Sequence, residues 1–232
     1  MASENVQERL SLLAESVAAC VACELHVRRR NTVFGEGNPL SPLVLVGEGP
    51  GDNEDATGRP FVGKAGKLLD EALERNNISR DQVYICNTVK CRACDWSSGK
   101  PRNRPPEKEE VEACRPWLLE QLSLIKPQVI LCIGAPSAKN LIRKDFKITA
   151  ERGKLMRTDL ARAIMATLHP AFILRNMSKT NDGGFGLLVA DVGKAWDTAV
   201  RLAEREQAKL QETAQQTQEA EELIQRTLFD LS

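Results

Sequence analysis

LVLVGEGPG, residues 43–51, decides how the rest of the chain is read. Four consecutive aliphatic side chains make a run too short for a helix and apolar on both faces, which is how a strand buried on both sides reads. Gly47 ends the run, and a glycine-rich loop extends through residue 63 carrying Glu48, Asp52, Glu54 and Asp55. Similar short apolar runs recur at 83–86, at Val129–Ile133 and at 163–168. Helical spacing surrounds them. Val6, Leu10, Leu13 and Val17 form one stripe, and Leu68, Leu69, Ala72 and Leu73 another. Segments 106–124 and 136–143 read as helices, and the chain reads as helical from about Asp191 almost to its end. Strands alternating with helices predict an α/β fold, a three-layer α/β/α sandwich with a central, mostly parallel four-stranded sheet. In such sheets ligands bind where the strands end, so the loops starting at Gly47, Asn87 and His169 are the candidate site.

The 232 residues are 42% apolar, and no stretch approaches the ~20 apolar residues of a membrane helix. The opening MASENVQERLSLL is polar and amphipathic, unlike a secretory leader. Seven cysteines and no leader favour reduced thiols or metal ligands over disulfides, and a cytoplasmic protein. Thirty-two basic residues cancel thirty-two acidic ones. The zero is uneven: residues 191–232 hold nine acids and five bases, leaving +4 on residues 1–190. Two basic runs, 90–108 and 139–162, suit a polyanion bound beside the strand-end loops. We expect one domain over 1–200 and a helical acidic tail over 201–232.

Gly47-Glu-Gly49-Pro-Gly51 is neither a dinucleotide fingerprint nor a P-loop, and four carboxylates make a poor phosphate cradle. The glycines instead let backbone approach a neutral planar ligand. His169, before a proline, is held extended at a sheet end. Cys20-x-x-Cys23 needs two further ligands. Cys91-x-x-Cys94 would complete a zinc site, whereas Cys91 with Cys114 would complete an iron–sulfur site; spacing alone favours zinc. Cys86 and Cys132 read as core thiols.

Taken together and in order, CVACELHVRRRNTVFGEGNP (20–39), GEGPG with EDATGRPFVGKAG (47–66), ICNTVKCR (85–92) and HPAFILR (169–175) resemble the family-four, iron–sulfur uracil-DNA glycosylases. The resemblance implies an enzyme of base excision repair that flips deoxyuridine out of single- or double-stranded DNA and hydrolyses its N-glycosidic bond. It assigns catalysis to Glu48 and His169, and uracil binding to Gly49, Glu54, Phe61, Asn87 and Asn103. Within that set Phe61 stacks on the base, Asn87 reads its edge, and Glu54 fills the space of thymine's methyl group. Phe172, Ile173 and Leu174, with Arg175, become the wedge that fills the gap in the duplex. It also implies a [4Fe–4S] cluster on Cys20, Cys23, Cys91 and Cys114. An insertion containing Cys94 departs from the family pattern and leaves Cys91 and Cys94 as rivals for the third ligand. The tail's Gln225, Leu228 and Phe229 resemble a Q-x-x-L-F sliding-clamp peptide. The enzyme is expected to be monomeric and nucleoid-associated. The competing readings are a non-catalytic, metal-stabilised nucleic-acid-binding protein, and a nucleotide- or sugar-metabolising enzyme using a divalent ion.

Overall fold

The computed structural model describes residues 2–97, 99–177 and 182–230, with side chains described between 5 and 218. Helix α1 (Ala2–Ala18) leads through a short 3-10 turn to an edge strand, β1 (Glu36–Gly37), and then to β2 (Leu43–Gly47). Helices α2 (Asp52–Thr57) and α3 (Lys64–Glu74) precede β3 (Tyr84–Asn87). A small ribbon of β4 (Cys94–Asp95) and β5 (Arg102–Asn103) comes before α4 (Lys108–Ile125) and β6 (Val129–Ile133). Helices α5 (Ala135–Leu141) and α6 (Ile148–Glu151), strand β7 (Ala163–Thr167), and helices α7 (Pro170–Asn176) and α8 (Phe185–Asp230) complete the chain.

The main sheet has five strands in the order β1-β3-β2-β6-β7. The four expected strands are its parallel members, and β1 adds an antiparallel edge paired Glu36 to Ile85. Sequence reading missed β1 because two residues ending in glycine carry no alternation. The buried runs work as anticipated. Leu43 and Leu45 face one core, shared with Leu69, Leu73, Leu188 and Val192 of α3 and α8. Val44 and Val46 face the other, shared with Leu10 and Leu13 of α1 and with Leu118 and Leu122 of α4. Period-two alternation thus sends successive side chains into two separate cores, which is what makes three layers.

Several expectations shift. The loop 47–63 contains the helix α2, and HPAFILR opens a helix rather than a loop. Helix α8 begins at Phe185, six residues before Asp191, and runs unbroken through residue 200, where the two-part division was placed. Part of the basic run 139–162 is paired with acids of the fold, while Lys139, Lys144, Lys147, Lys154 and Arg157 are exposed. Arg143 pairs with Glu151, Arg152 with Asp191 (Nε to Oδ2 2.8 Å) and Arg162 with Glu206 (3.3 Å), the last two being acids of α8. In the run 90–108, Lys90 and Arg92 are buried and Arg104 pairs with Glu110 at 2.6 Å. Both runs include cations spent inside the fold. No helix among the described residues is long and apolar enough to cross a membrane.

Helix α3 passes very close to the backbone of Phe61. A Cβ at Gly66 would lie 1.8 Å from the Phe61 carbonyl oxygen, so only glycine lets the helix pass there. Gly66→Ala should cost about 1–3 kcal/mol in urea denaturation, the usual penalty of overpacking, and should also displace Phe61.

Candidate active site

Parallel pairing aligns the strand ends. Gly47 of β2 sits beside Asn87 of β3, and β6 brings Gly134 next to the end of β7, where Gly134 N–H donates to the Thr167 carbonyl at 2.9 Å. Around this edge opens a cavity of about 490 Å³, lined among others by Glu48, Gly49, Glu54, Asn87 and His169. Phe61 and Asn103 also line it, so all seven residues expected for catalysis and uracil binding come together.

Phe61 closes the floor, buried, with its ring centroid 6.0 Å from that of His169. Its backbone lies at φ 51°, a costly conformation for a large side chain that surroundings must impose. Arg80 does so. Its guanidinium donates to the carbonyls of Pro60 and of Phe61 (3.3 Å) and is itself anchored on Asp70 (2.6 Å) and Glu36 (2.9 Å). Gly47 is equally constrained, because a Cβ there would meet Asn87 Oδ1 at 2.3 Å and the Phe61 ring at 2.5 Å.

Asn87 is 1% exposed, and its Oδ1 is buried without a hydrogen-bond partner among the described residues. Two other buried side-chain atoms share that condition, on Gln128 and Thr167, and neither residue lines the pocket. An orphaned buried acceptor costs ~1–3 kcal/mol unless a ligand satisfies it. Asn103 faces the same space from β5, and Arg92 Nε donates to its Oδ1 at 2.7 Å, which turns the amide N–H₂ away from that bond. Arg92 also binds Asp52. Glu54 is fixed by the main chain. Its carboxylate accepts from the backbone N–H groups of Gly51 (3.0 Å), Val62 (2.9 Å) and Gly63 (2.8 Å), stapling the loop while lining the cavity.

His169 caps α7: the Ala171 N–H donates to Nδ1 at 3.0 Å. Burial, reinforced by the Arg175 guanidinium and opposed by Glu54, pushes the imidazole down to about 4. The ring is therefore neutral at pH 7, and with Nδ1 accepting, its proton sits on Nε2. Burial raises the Glu48 carboxyl above its ordinary value.

Helix periodicity corrects the wedge. Ile173 points into the core and is fully buried, whereas Phe172 (43%) and Leu174 (36%) are exposed. Arg175 lines the pocket. Cys20, Cys23, Cys91 and Cys114 line a second, small cavity together with Val17, Leu25 and Trp117. Cys94 is elsewhere, accepting from Trp96 Nε1 at 3.0 Å. Among the described residues no three His, Cys, Asp or Glu side chains are gathered tightly enough for a single ion. The cysteines nevertheless converge on shared space. Arg29 donates to Cys91 Sγ (3.4 Å) and the Lys90 N–H to Cys114 Sγ (3.2 Å). Burial pushes the Cys114 thiol up to about 11, so it would become a thiolate at neutral pH only against a strong positive charge. A small cavity, four sulfurs and donors aimed at two of them fit an iron–sulfur cluster. The side chains of Gln225, Leu228 and Phe229 lie outside the described residues.

Such a pocket, floored by a strained aromatic and edged by an unsatisfied amide, lies at the strand ends of an α/β protein. The chain belongs to the uracil DNA glycosylase superfamily, whose sequence profile matches residues 34–193. It is 44% identical over 173 residues to the type-4 uracil-DNA glycosylase of Thermotoga maritima, covering 74% of this chain and 86% of that one. The type-4 enzyme of Pyrobaculum aerophilum is 43% identical over 173 residues, covering 72% and 85%. That of Sulfurisphaera tokodaii is 41% identical over 177 residues, covering 73% and 77%. Arg80, which holds Phe61, carried no signal in the sequence, and Arg92 and Lys90, which hold Asn103 and Asn87, read there only as members of the basic run 90–108.

The depressed His169 sets a pH dependence with a definite sign. Between pH 6.5 and about 4 the unfolded chain binds a proton there that the folded chain does not. The contribution is complete above pH 6.5 and is lost as pH falls towards 4, amounting to roughly 3 kcal/mol. Urea midpoints measured across that window should fall for the wild type and fall less steeply for His169→Gln.

Proposed function

We propose that the cavity takes uracil flipped out of DNA and that its side chains hydrolyse the N-glycosidic bond, leaving an abasic site. The chain is a uracil-DNA glycosylase of base excision repair. The observation that carries the assignment of residues is the partnerless Asn87 Oδ1, an acceptor suited to the N3–H of an imide, with the same amide able to donate to O4. Phe61 stacks on the base. Glu54, its carboxylate held by three backbone donors, is a rigid wall where thymine's methyl group would have to go. Phe172 and Leu174 are the exposed apolar pair that enters the duplex as the nucleotide leaves it.

In the reaction the bond between C1′ and N1 breaks with its electron pair going to uracil, and positive charge develops on the sugar. His169, neutral and protonated on Nε2, donates to uracil O2 and stabilises the departing anion without first having to lose a proton. Glu48 in its carboxylate form opposes the cationic sugar and orients the water that adds to C1′. Asn103 and Gly49 complete the pocket wall. The four cysteines of the second cavity would hold a [4Fe–4S] cluster, whose contribution is to cross-link α1, the segment after β3, and α4.

On uracil-containing oligonucleotides the wild type should release free uracil and leave the strand uncut until alkali is added. His169→Asn and Asn87→Ala should each lower kcat by about 10²–10³, the cost of losing one preorganised partner of the leaving group. No release by the wild type would instead leave a DNA-binding protein of the same fold. Because Glu48 must be ionised and its pKa is raised, activity should fall on acidification starting above the ordinary carboxylate range. The residual activity of Glu48→Gln should lack that limb. Cys91→Ser should lose bound iron, and Cys94→Ser should keep it.

For the tail we infer a partner as well. Gln225, Leu228 and Phe229 close a 46-residue helix and form a peptide suited to the hydrophobic pocket of a sliding clamp. Removing residues 225–232 should abolish clamp binding in a pull-down with purified clamp and leave uracil release unchanged.

A further inference from the structure

Lys90 is 1% exposed, one of the largest side chains wholly inside the protein. Its Nζ donates to the Asn87 carbonyl at 3.0 Å and to Gln121 Oε1 at 2.6 Å, and it lies 5.7 Å from the Phe34 ring centroid. Gln121 is fixed in turn, its amide donating to the Phe34 carbonyl (3.1 Å) and to the Tyr84 hydroxyl (2.9 Å). Two acceptors meet Nζ, and neither carries a charge. Among the described residues no carboxylate is paired with it; burial disfavours its charged form, and the sulfurs of Cys86 and Cys114 act the other way. Cys86 lies in the core, where burial raises its thiol and keeps it neutral. Cys114 lines the four-cysteine cavity, as does Lys90 itself, and accepts from the Lys90 backbone N–H. An isolated buried ammonium is strongly unfavourable and gives way to the neutral amine, so a charged Lys90 at the edge of the cysteine cavity needs a negative charge that the side chains around it do not provide.

We propose that Lys90 is a positioning residue whose buried ammonium is the internal counter-charge of the cysteine-bound cluster. The same ammonium holds the Asn87 carbonyl and so ties the base-reading end of β3 to the cluster. The proposal rests on the cluster assigned above. Four thiolates around a [4Fe–4S] core leave that unit with net negative charge, and the ammonium answers it across one residue of backbone. The distance from cluster to uracil site is then bridged by a single side chain rather than by the fold at large.

The test compares wild-type, Lys90→Met and Lys90→Arg holoproteins. Cluster retention is read as the rate of bleaching at roughly 400 nm under an iron chelator. Uracil release is read as kcat and KM separately, and affinity is measured for a duplex without uracil. Lys90→Met keeps the length of the side chain and removes the charge. It should bleach at least about tenfold faster than the wild type and lose about 10–100-fold in kcat, the range for partners that orient a metal site. Binding of uracil-free duplex should be unchanged, and Lys90→Arg should bleach at the wild-type rate. Bleaching of Lys90→Met at the wild-type rate overturns the proposal. If that variant does not fold, Gln121→Glu decides: a carboxylate beside Nζ competes with the cluster for the ammonium and should accelerate bleaching, and a wild-type rate there overturns the proposal. A wild type without iron or absorbance overturns both the cluster and this role for Lys90. A coloured wild type that releases no uracil overturns the enzymatic reading alone, and the bleaching comparison still decides the charge pairing.

Discussion

Parallel hydrogen bonding between β2 and its neighbours β3 and β6 is the constraint on which everything else depends. Because all four long strands run the same way, their carboxyl ends share one edge, and the loops that leave them are forced together. Gly47 and Asn87 are paired partners in this ladder, so the glycine loop and the amide are neighbours through backbone bonds alone. The strands can lie side by side in this way only because both faces of the sheet are covered, one by α3, α7 and α8, the other by α1, α4 and α5. The pocket is the consequence of covering a parallel sheet completely and leaving its edge open.

Charge inside the fold is used for positioning. Three cations hold three pocket-lining residues: Arg80 the strained Phe61, Arg92 the amide of Asn103, and Lys90 the carbonyl of Asn87. A carboxylate, Glu54, does the same for the loop between α2 and α3. Each of these groups surrenders hydration and recovers it as hydrogen bonds to the main chain or to a fixed side chain. The alternative, a flexible loop lined with polar groups, would leave the pocket's donors and acceptors free to solvate one another. Rigid placement matters in this reaction because the leaving group's charge must be met by dipoles already in position.

Much of this was legible beforehand. The four buried runs, their alternation with helices and the three loaded loops follow from hydrophobic periodicity, which is local and survives without tertiary information. The seven pocket residues were identifiable by resemblance, and they converge. What periodicity missed are short or irregular pieces: β1, the β4–β5 ribbon and α2, whose stability comes from neighbours rather than from their own pattern. The burial of Lys90 was illegible for a related reason. A lysine before a cysteine, in VKCR, looks the same whether it faces water or the core, and Lys90 faces the core.

Composition and periodicity alone determined the α/β class, the strand ends as the place for chemistry, and the division of charge between a basic body and an acidic tail, because each of these is a property of residue order. Tertiary structure alone decided which side of each element is inside. It buried Ile173 and exposed Phe172 and Leu174 on one short helix, because α7 lays one side on the core. It brought Cys91, and not Cys94, to the cavity of Cys20, Cys23 and Cys114. It made His169 a neutral donor by removing water from around it and giving its Nδ1 a backbone N–H. Burial and hydrogen-bond partners are supplied by distant parts of the chain, and no local reading of sequence contains them.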